Sequence, residues 1–298
     1  MPFIISLNSL IFEFAEVTAE TFQWANWARC FYSKAQYDRM MEKGTGLKND
    51  GFQFWGYPVI GYQNNMQSSG SCLRSEGDTA CPWDPRLVGV YLFQIGLSIS
   101  LDKVGQFLAD VKKVRDMNPA NSLCGVDMYN GFQMRYVKAS SAYLGKQEDS
   151  VEFEMKYYRA TDPGTPRLYE DVWEEIEQMG LVKYGGLPHW GKNRNLAFDG
   201  VMKKYKKYDA FLRVKQKYDP EGLLSNEWTD GVLGIGEAGV IIKEDGCALD
   251  GLCVCSDDRH CAPHKGYFCK SGRVYKEARV CRPGGDEDND HETLQTEL

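Results

Sequence analysis

The chain has 298 residues, of which 43% are hydrophobic and 26% charged. This length fits about two domains at roughly 150 residues each, and the composition is that of a globular protein, which argues against disordered, collagen-like and coiled-coil classes. The formal net charge is −7, and the tail Gly284–Leu298 holds six acidic residues without a Lys or Arg. The remainder is nearly neutral, so we expect no nucleic-acid partner, and no apolar run reaches the ~18 residues of a transmembrane segment.

The first regular elements follow a loop-like segment, Gly44–Pro85, that is rich in Gly, Ser, Asn and aromatic residues. Apolar residues alternate with polar or small ones over Phe93–Ser100, the period of two that buries one face of a strand. Apolar residues then recur every three or four positions over Val104–Val114, which predicts an amphipathic helix that Asn118-Pro119 ends.

Two further strands, a second helix and a last strand complete the pattern. Phe132–Val137 is extended, and Val151–Tyr157 alternates apolar with charged residues. Leu168–Met179 has the helical period and is closed by Gly180, and Tyr184–Trp190 is a candidate final strand.

This order predicts an α+β domain from about Val88 to Trp190. A β-α-β-β-α-β string is the ferredoxin-like pattern, an antiparallel sheet with both helices on one face. A further helix is predicted over Asp199–Tyr218, ended by Asp219-Pro220 because proline disfavours a helix at the preceding residue.

Cysteines are concentrated near the end of the chain. Six of the ten lie close together in a Gly- and Asp-rich segment, which predicts a disulfide-stapled module and an oxidising compartment. Zinc bound with His260 and His264 is the weaker alternative, because the paired C-x2-C spacing is missing. Fifteen pairings are possible, and upstream Cys72 and Cys81 are expected to pair while Cys30 and Cys124 stay undecided. The six are Cys247, Cys253, Cys255, Cys261, Cys269 and Cys281.

The first residues do not match the predicted compartment. Met1–Ala15 has no Lys or Arg, and Asn8 and Glu13 interrupt its apolar stretch, so it is a poor signal peptide. We expect either a start internal to a longer gene product or a signal lost upstream. Secretory or extracellular localisation is the prediction, with membrane association as the alternative.

Two motifs resemble binding sites but are better explained as ordinary structural segments. Gly234–Gly239 spells G-x-G-x-x-G, but β-branched residues follow it where a dinucleotide site needs a helix. The run Lys203–Lys207 suggests phosphate contacts, yet a solvated helix face is the favoured interpretation given the neutral body.

One histidine stands apart from the others. His260 and His264 lie in the cysteine module and His291 in the acidic tail, so imidazole chemistry in the body must use His189. Its segment, Leu187–Asn195, gathers an indole, an ammonium, a guanidinium and two amides, which favours a ligand-facing corner. The alternative is that His189 only packs against the sheet.

Several longer motifs carry a resemblance to a known family. The chain resembles the plant L-gulonolactone oxidases and, more broadly, the carboxyl-terminal half of the FAD-linked aldonolactone oxidases, from about Gly44 to Pro283. The motifs are Gly56–Gly61, Ser68–Cys72, Ala80–Pro85, Pro188–Asn195, Glu227–Thr229 and Val274–Arg279.

The resemblance implies a domain organisation. Residues 44–245 would form the substrate or cap domain of these oxidases with its return segment, 246–283 the disulfide-rich module and 284–298 a disordered acidic tail. The role of residues 1–43 is uncertain. Nothing in the sequence matches the FAD-binding domain and its phosphate loop, so the cofactor platform is expected to be missing.

The family resemblance also implies a reaction. An aldono-1,4-lactone would be oxidised at the hydroxyl next to its carbonyl, with FAD as acceptor and O2 reduced to H2O2, and the product would be ascorbate or an analogue. Lys192 would stabilise negative charge on the flavin, with Trp190 and Asn193 as further cofactor contacts. His189 would hydrogen-bond the reacting hydroxyl or accept its proton.

A third catalytic position is Asp127, aligned with the acid of the Glu-x-Arg pair of animal relatives. Tyr129 stands where the Arg would be, and a phenol does not replace a guanidinium; Arg135 or Arg194 are alternative cations. Two hypotheses follow: a fragment or truncated paralogue of a secreted plant-type L-gulonolactone oxidase, similar to the D-arabinono-1,4-lactone oxidases, or an inactive cap-only protein that binds a lactone or a partner. Peripheral membrane association is also considered.

Overall fold

The structure is a computed structural model that describes residues 92–119, 122–123, 132–158, 164–166, 169–236 and 239–284. Several predictions lie outside these residues. They concern Asp127 and Tyr129, the Cys72–Cys81 pair, Cys30, Cys124, residues 1–43 and the acidic tail beyond Gly284.

The central feature is a four-stranded sheet. Its strands are β1 (Leu92–Ser100), β2 (Gln133–Val137), β3 (Ser150–Tyr158) and β4 (Leu187–Pro188). They lie in the order β2-β3-β1-β4, and every neighbouring pair is antiparallel. This order and pairing agree with the ferredoxin-like pattern predicted from the string of elements.

Two helices cover one face of the sheet, α1 (Leu101–Met117) and α2 (Glu170–Gln178). Alternation puts three apolar residues of each central strand on this face. Phe107 of α1 meets Phe153 of β3 edge to face, with ring centroids 5.0 Å apart. These residues form the dry core of the domain. The strand residues are Ile95, Leu97, Ile99, Val151, Phe153 and Met155.

The second helix does not end at Gly180 as predicted. After α2 the chain continues as a π-helical turn, Met179–Lys183. A Cβ on Gly180 would lie 2.9 Å from Leu97 Cδ2. Gly180 therefore permits close contact between this turn and β1 rather than a stop.

The segment after the sheet also departs from the prediction. The last strand is only two residues long, and the helix predicted over Asp199–Tyr218 is confined to α3, Tyr208–Tyr218. Two 3-10 turns precede it, Asn195–Phe198 and Val201–Lys204, separated by Gly200 with φ of +61°. A positive φ interrupts a right-handed helix, which accounts for the shorter element.

The Lys203–Lys207 run is correspondingly divided. Lys203, Lys206 and Lys207 are exposed as predicted. Lys204 is not, because its ammonium donates to the carbonyl oxygens of Leu181 and Gly186 at 2.7 and 2.9 Å. The prediction of a fully solvated helix face was wrong for Lys204.

A short helix, α4 (Glu227–Leu233), leads into the glycine motif. Asn226 caps its first turn through a hydrogen bond with Thr229 N–H, and Gly234 ends it with φ of +62°. The motif thus follows a helix instead of a strand, which agrees with the rejection of a dinucleotide site.

The cysteine-rich module contains a hairpin, β5 (Tyr267–Ser271) and β6 (Arg279–Pro283). The predicted disulfides are confirmed, and their connectivity is now given. All six cysteines of the module are in disulfides. The pairs are Cys247–Cys253, Cys255–Cys269 and Cys261–Cys281.

The module packs against α2, all of whose residues are buried. The Glu175 carboxylate accepts three backbone N–H groups of the module, from Arg273, Val274 and Tyr275 at 2.6 to 2.8 Å. Gln178 exchanges two hydrogen bonds with the backbone of Arg279. This Glu-rich helix can be internal because backbone donors satisfy Glu175 and the Arg194 guanidinium pairs with Glu177. Within the described residues, no helix combines the length and hydropathy of a membrane span.

Candidate active site

The sheet face opposite the helices is polar. The alternation of β3 that turns Phe153 inward turns Glu152 and Glu154 to this other face, two residues apart. In the register of the sheet, Ser98 and Gly96 of β1 lie opposite these two carboxylates. The polar face therefore offers two neighbouring carboxylates beside a position without a side chain.

His189 and Lys192 come together over Gly96. His189 N–H donates to Gly96 O at 2.8 Å, which fixes the chain just after β4 to the edge of β1. A Cβ on residue 96 would lie 2.8 Å from His189 Cβ and 3.6 Å from Lys192 Cδ. The glycine leaves the space that these two side chains occupy.

Lys192 is held by a carboxylate. Its Nζ lies 2.5 Å from Glu154 Oε1, and the Arg135 guanidinium donates to the same oxygen. Gln94 Nε2 donates to the second oxygen of Glu154 at 3.3 Å. Two cations thus share one carboxylate, which leaves a net positive charge on this part of the face.

The shared carboxylate stays ionised. Its side chain is 3% exposed, and burial alone would raise the pKa of Glu154. The hydrogen bond and charge of Lys192, with the charges of Arg135 and His189, outweigh burial and lower the pKa of Glu154 below its usual value.

The imidazole of His189 has a defined orientation. Its Nδ1 accepts a hydrogen bond from Gly191 N–H at 3.1 Å, so in the neutral ring the proton is on Nε2. Nε2 lies 3.9 Å from Glu152 Oε1, and the side chain is 35% exposed. His189 therefore presents an N–H donor toward the polar face.

Asn193 stabilises this corner from within. Its Oδ1 accepts from Gly96 N–H and His189 N–H at 3.3 and 3.1 Å, and its Nδ2 approaches Glu177 at 3.5 Å. Its amide is used inside the protein, and a contact with cofactor stays a prediction.

The two alternative cations of the sequence analysis are separated. Arg135 shares Glu154 with Lys192 and so belongs to the corner. Arg194 is buried on the other side of the sheet edge, 2.8 Å from Glu177 and 3.7 Å from Glu174. Its guanidinium does not reach Lys192 or His189.

Trp190 supplies an aromatic surface at the corner. Its ring packs against Phe198 and Tyr205, with centroids 5.5 and 6.3 Å away, and the residue is 37% exposed. One side of the indole is fixed, and the remainder is open to a ligand.

Two family models match the chain. One, described as D-arabinono-1,4-lactone oxidase, matches residues 89–232, and the other, described as L-gulonolactone oxidase 2-like, C-terminal domain, matches residues 244–283. The chain is 53% identical over 291 residues to probable L-gulonolactone oxidase 6 and 55% identical over 270 residues to L-gulonolactone oxidase 5, both of Arabidopsis thaliana.

These alignments cover 96% and 90% of this chain but 48% and 45% of the relatives. The chain therefore spans about half the length of these relatives. A third relative, probable truncated L-gulonolactone oxidase 7, mitochondrial, of the same plant, is 55% identical and is covered over 91% of its length. The chain belongs to the L-gulonolactone oxidase family.

The corner fits the flavin that the resemblance to L-gulonolactone oxidases implies. Lys192 and Arg135 with one carboxylate provide a net positive charge for a group that gains electrons. The Lys192 side chain is 20% exposed, and the imidazole and indole beside it are also partly open. The corner is not sealed in the hydrophobic interior, as an oxidase site requires.

Sequence reasoning did not assign three residues of this corner to a site. Glu152, Glu154 and Gly96 were read only as strand residues, and Arg135 was one of two alternative cations. The signal was present, because the alternation in β1 and β3 already assigns these positions to the face opposite the core. What was missing was the register that puts them under His189 and Lys192.

Proposed function

We propose that this chain takes part in FAD-dependent oxidation of an aldono-1,4-lactone of the L-gulono-1,4-lactone type, with O2 reduced to H2O2 and ascorbate or an analogue as product. The observation that carries the proposal is the pairing of His189 and Lys192 over Gly96 on an open polar face. The FAD-binding domain would be supplied by polypeptide other than the described residues.

Lys192 provides charge stabilisation in this proposal. Bound FAD would supply the acceptor for the hydride that leaves the carbon bearing the hydroxyl. Glu154 holds the ammonium in place before the reaction, so little reorganisation is needed when negative charge develops. Trp190 would contact the same cofactor through its open side.

His189 positions the substrate. With its proton on Nε2, the neutral imidazole donates a hydrogen bond to an oxygen of the lactone, and this favours the hydrogen-bonding role over proton acceptance. Glu152 is the described carboxylate that faces the same nitrogen, and we assign it as acceptor of the hydroxyl proton. Asp127 stays a predicted catalytic residue.

Flavin binding and turnover test the proposal together. The chain is joined to the FAD-binding domain of a full-length relative, passed through a desalting column and assayed for flavin absorbance, then for H2O2 formation with L-gulono-1,4-lactone. We expect Lys192→Met to slow flavin reduction about 100-fold with little change in KM. Lys112→Met, on the exposed side of α1, is the matched control. A change in KM alone would contradict the role of Lys192.

A non-catalytic lactone-binding or partner-binding protein is the second candidate. The relative named as truncated, which this chain covers over 91% of its length, supports it. Calorimetry with L-gulono-1,4-lactone separates the two functions. Saturable lactone binding without flavin reduction or H2O2 formation in the joined protein favours the binding protein, whereas flavin that the lactone reduces favours the oxidase.

We also propose that the protein resides in the secretory pathway or outside the cell. The three disulfides of the module support an oxidising environment. Mass spectrometry of protein isolated under alkylating conditions would show these thiols blocked as disulfides, and fully alkylated cysteines would contradict the assignment.

A further inference from the structure

A cavity of about 200 Å³ opens where β1 ends and α1 begins. It adjoins the candidate active site through Ser98, whose hydroxyl lies 3.4 Å from Glu152, but His189, Trp190 and Lys192 do not line it. The lining is dominated by lysines and serines. They include Lys103, Lys146, Lys204, Lys206, Ser100 and Ser150.

Positive charge exceeds negative charge in this lining. Glu148 is its carboxylate, and it lies 4.0 Å from Lys206 in an exposed pair. Lys146 lies 3.6 Å from Glu152. The remaining two, Lys103 and Lys204, have backbone carbonyls as partners within the described residues. The cavity therefore holds cations whose charge its carboxylates do not balance.

Lys204 is the most confined of these cations. Two of its three N–H groups are accounted for by the carbonyl oxygens of Leu181 and Gly186, which leaves one for a ligand. Burial lowers the pKa of Lys204 to about 8. Burial also lowers the pKa of Lys146, against the opposing effect of Glu152. Burial causes both shifts, and of the two only Lys146 has a carboxylate partner within the described residues.

A buried hydroxyl points to a ligand independently. Ser150 is 5% exposed, and its Oγ has no hydrogen-bond partner among the described residues. Buried polar groups are normally paired, so an unpaired one needs an explanation. The 17-residue helix α1 also begins at the cavity, and Ser100 makes no side-chain cap for its first N–H groups. Ammonium, hydroxyl and helix N-terminus are all suited to oxygen anions.

We propose that this cavity binds the oxyanion group of a small ligand: phosphate, sulfate or the carboxylate of a sugar acid. The volume suits a small anion, since drug-sized ligands occupy roughly 300–1,000 Å³. Binding at this site requires neither FAD nor lactone oxidation, so it stands or falls separately from the proposed function.

Isothermal titration of the full chain with inorganic phosphate, sulfate and L-gulonate, each in turn, tests the site. We expect saturable binding of at least one anion. Ser150→Ala should weaken it about threefold to tenfold without loss of stability, because that hydroxyl has no partner in the fold. Lys204→Met should weaken it tenfold or more. Saturation by phosphate and sulfate alone identifies an inorganic tetrahedral anion, and saturation by L-gulonate identifies a sugar acid.

Lys112→Met, an exposed lysine of α1 outside the cavity, removes the same charge and should leave the affinity unchanged. The proposal is overturned if none of the three anions saturates. It is equally overturned if Lys112→Met weakens binding as much as Lys204→Met, or if Ser150→Ala folds normally and binds like the unchanged chain. Ser150→Ala keeps the test decisive even where Lys204→Met fails to fold.

Discussion

The two faces of the four-stranded sheet share the same strands but have opposite chemistry. On one face Phe153 packs against Phe107 in a buried apolar core; on the other Glu154 joins two cations in a partly open corner. The residues alternate along a single strand, β3, so one sequence pattern builds both the core and the candidate site. Stability should therefore depend mainly on the odd-numbered residues of β3, and the chemistry of the candidate site on the even-numbered ones.

The largest effect is expected on the apolar face. Phe153→Ala removes a fully buried ring and should lower the free energy of unfolding by about 3–5 kcal/mol. Lys156→Ala, on the same strand but on the polar face, should change it by less than about 0.5 kcal/mol. Urea unfolding followed by circular dichroism measures both. Equal effects would remove the distinction between the faces.

Gly96 tests the polar face by steric means. Gly96→Ala puts a methyl group 2.8 Å from His189 Cβ, and we expect a loss of about 1–3 kcal/mol from overpacking. The NMR signal of the His189 ring should shift in the folded variant. Gly105→Ala is the control, because a Cβ there meets nothing within 4 Å and should stabilise α1 slightly. An unmoved His189 signal would contradict the shared space over Gly96.

A buried carboxylate on the helical side sharpens the comparison. Asp110 of α1 accepts from Lys113, Lys183 and Tyr184 at 2.6 to 2.7 Å. Burial opposes ionisation, but these hydrogen bonds outweigh it and lower the pKa of Asp110.

Asp110→Asn should lower the free energy of unfolding by about 1–2 kcal/mol at pH 7, with the lysines partly screened by solvent. Because the folded pKa is below the ordinary 3.8, this stabilisation is full above about pH 4 and is lost as pH falls further. The difference between the two chains in urea unfolding curves should therefore be largest at pH 7 and should shrink steadily as the pH falls below about 4. A difference that persists in acid would contradict it.

The smallest effect on stability is expected at Glu154. Glu154→Gln should lower the free energy of unfolding by about 0.5–1 kcal/mol, since Arg135 is half exposed and the amide oxygen of the variant still accepts a hydrogen bond from Lys192. The lowered pKa of Glu154 means that this contribution is present above about pH 4.5 and disappears as pH falls. Flavin reduction should suffer more than folding, because Lys192 loses its positioning partner. A variant with normal reduction kinetics would argue against that role.

The sequence predicted the part of the fold that period-two and period-3.6 patterns encode. The alternation in β1 and β3 and the order of elements led to the observed sheet. The same patterns failed at Gly180 and Lys204. Gly180 was interpreted as a helix end, but it allows close packing against Leu97. Lys204 was interpreted as solvated, but it donates to two carbonyl groups. Both errors concern contacts between segments distant in the chain, which local periodicity does not contain.

The candidate site shows the same division. The residue types of Leu187–Asn195 indicated a ligand-facing corner, and His189, Trp190 and Lys192 are open there. The oxygen of Asn193 accepts from the backbone of Gly96 and His189, and its contact with a cofactor stays a prediction. Whether an amide of this segment bonds the backbone or a ligand depends on its position beside the edge of β1. The sequence alone does not show which residues lie beside that edge.

The position of α2 has a consequence for how the protein unfolds. Its Glu175 is the acceptor for three consecutive amides of the cysteine-rich hairpin, while its Ile176 belongs to the core under the sheet. Separating the hairpin from α2 would leave the Glu175 carboxylate and the three amides without their hydrogen-bond partners. The disulfides of the module therefore support the helix that packs beneath the candidate active site, and reducing them should destabilise that site without any direct contact with it.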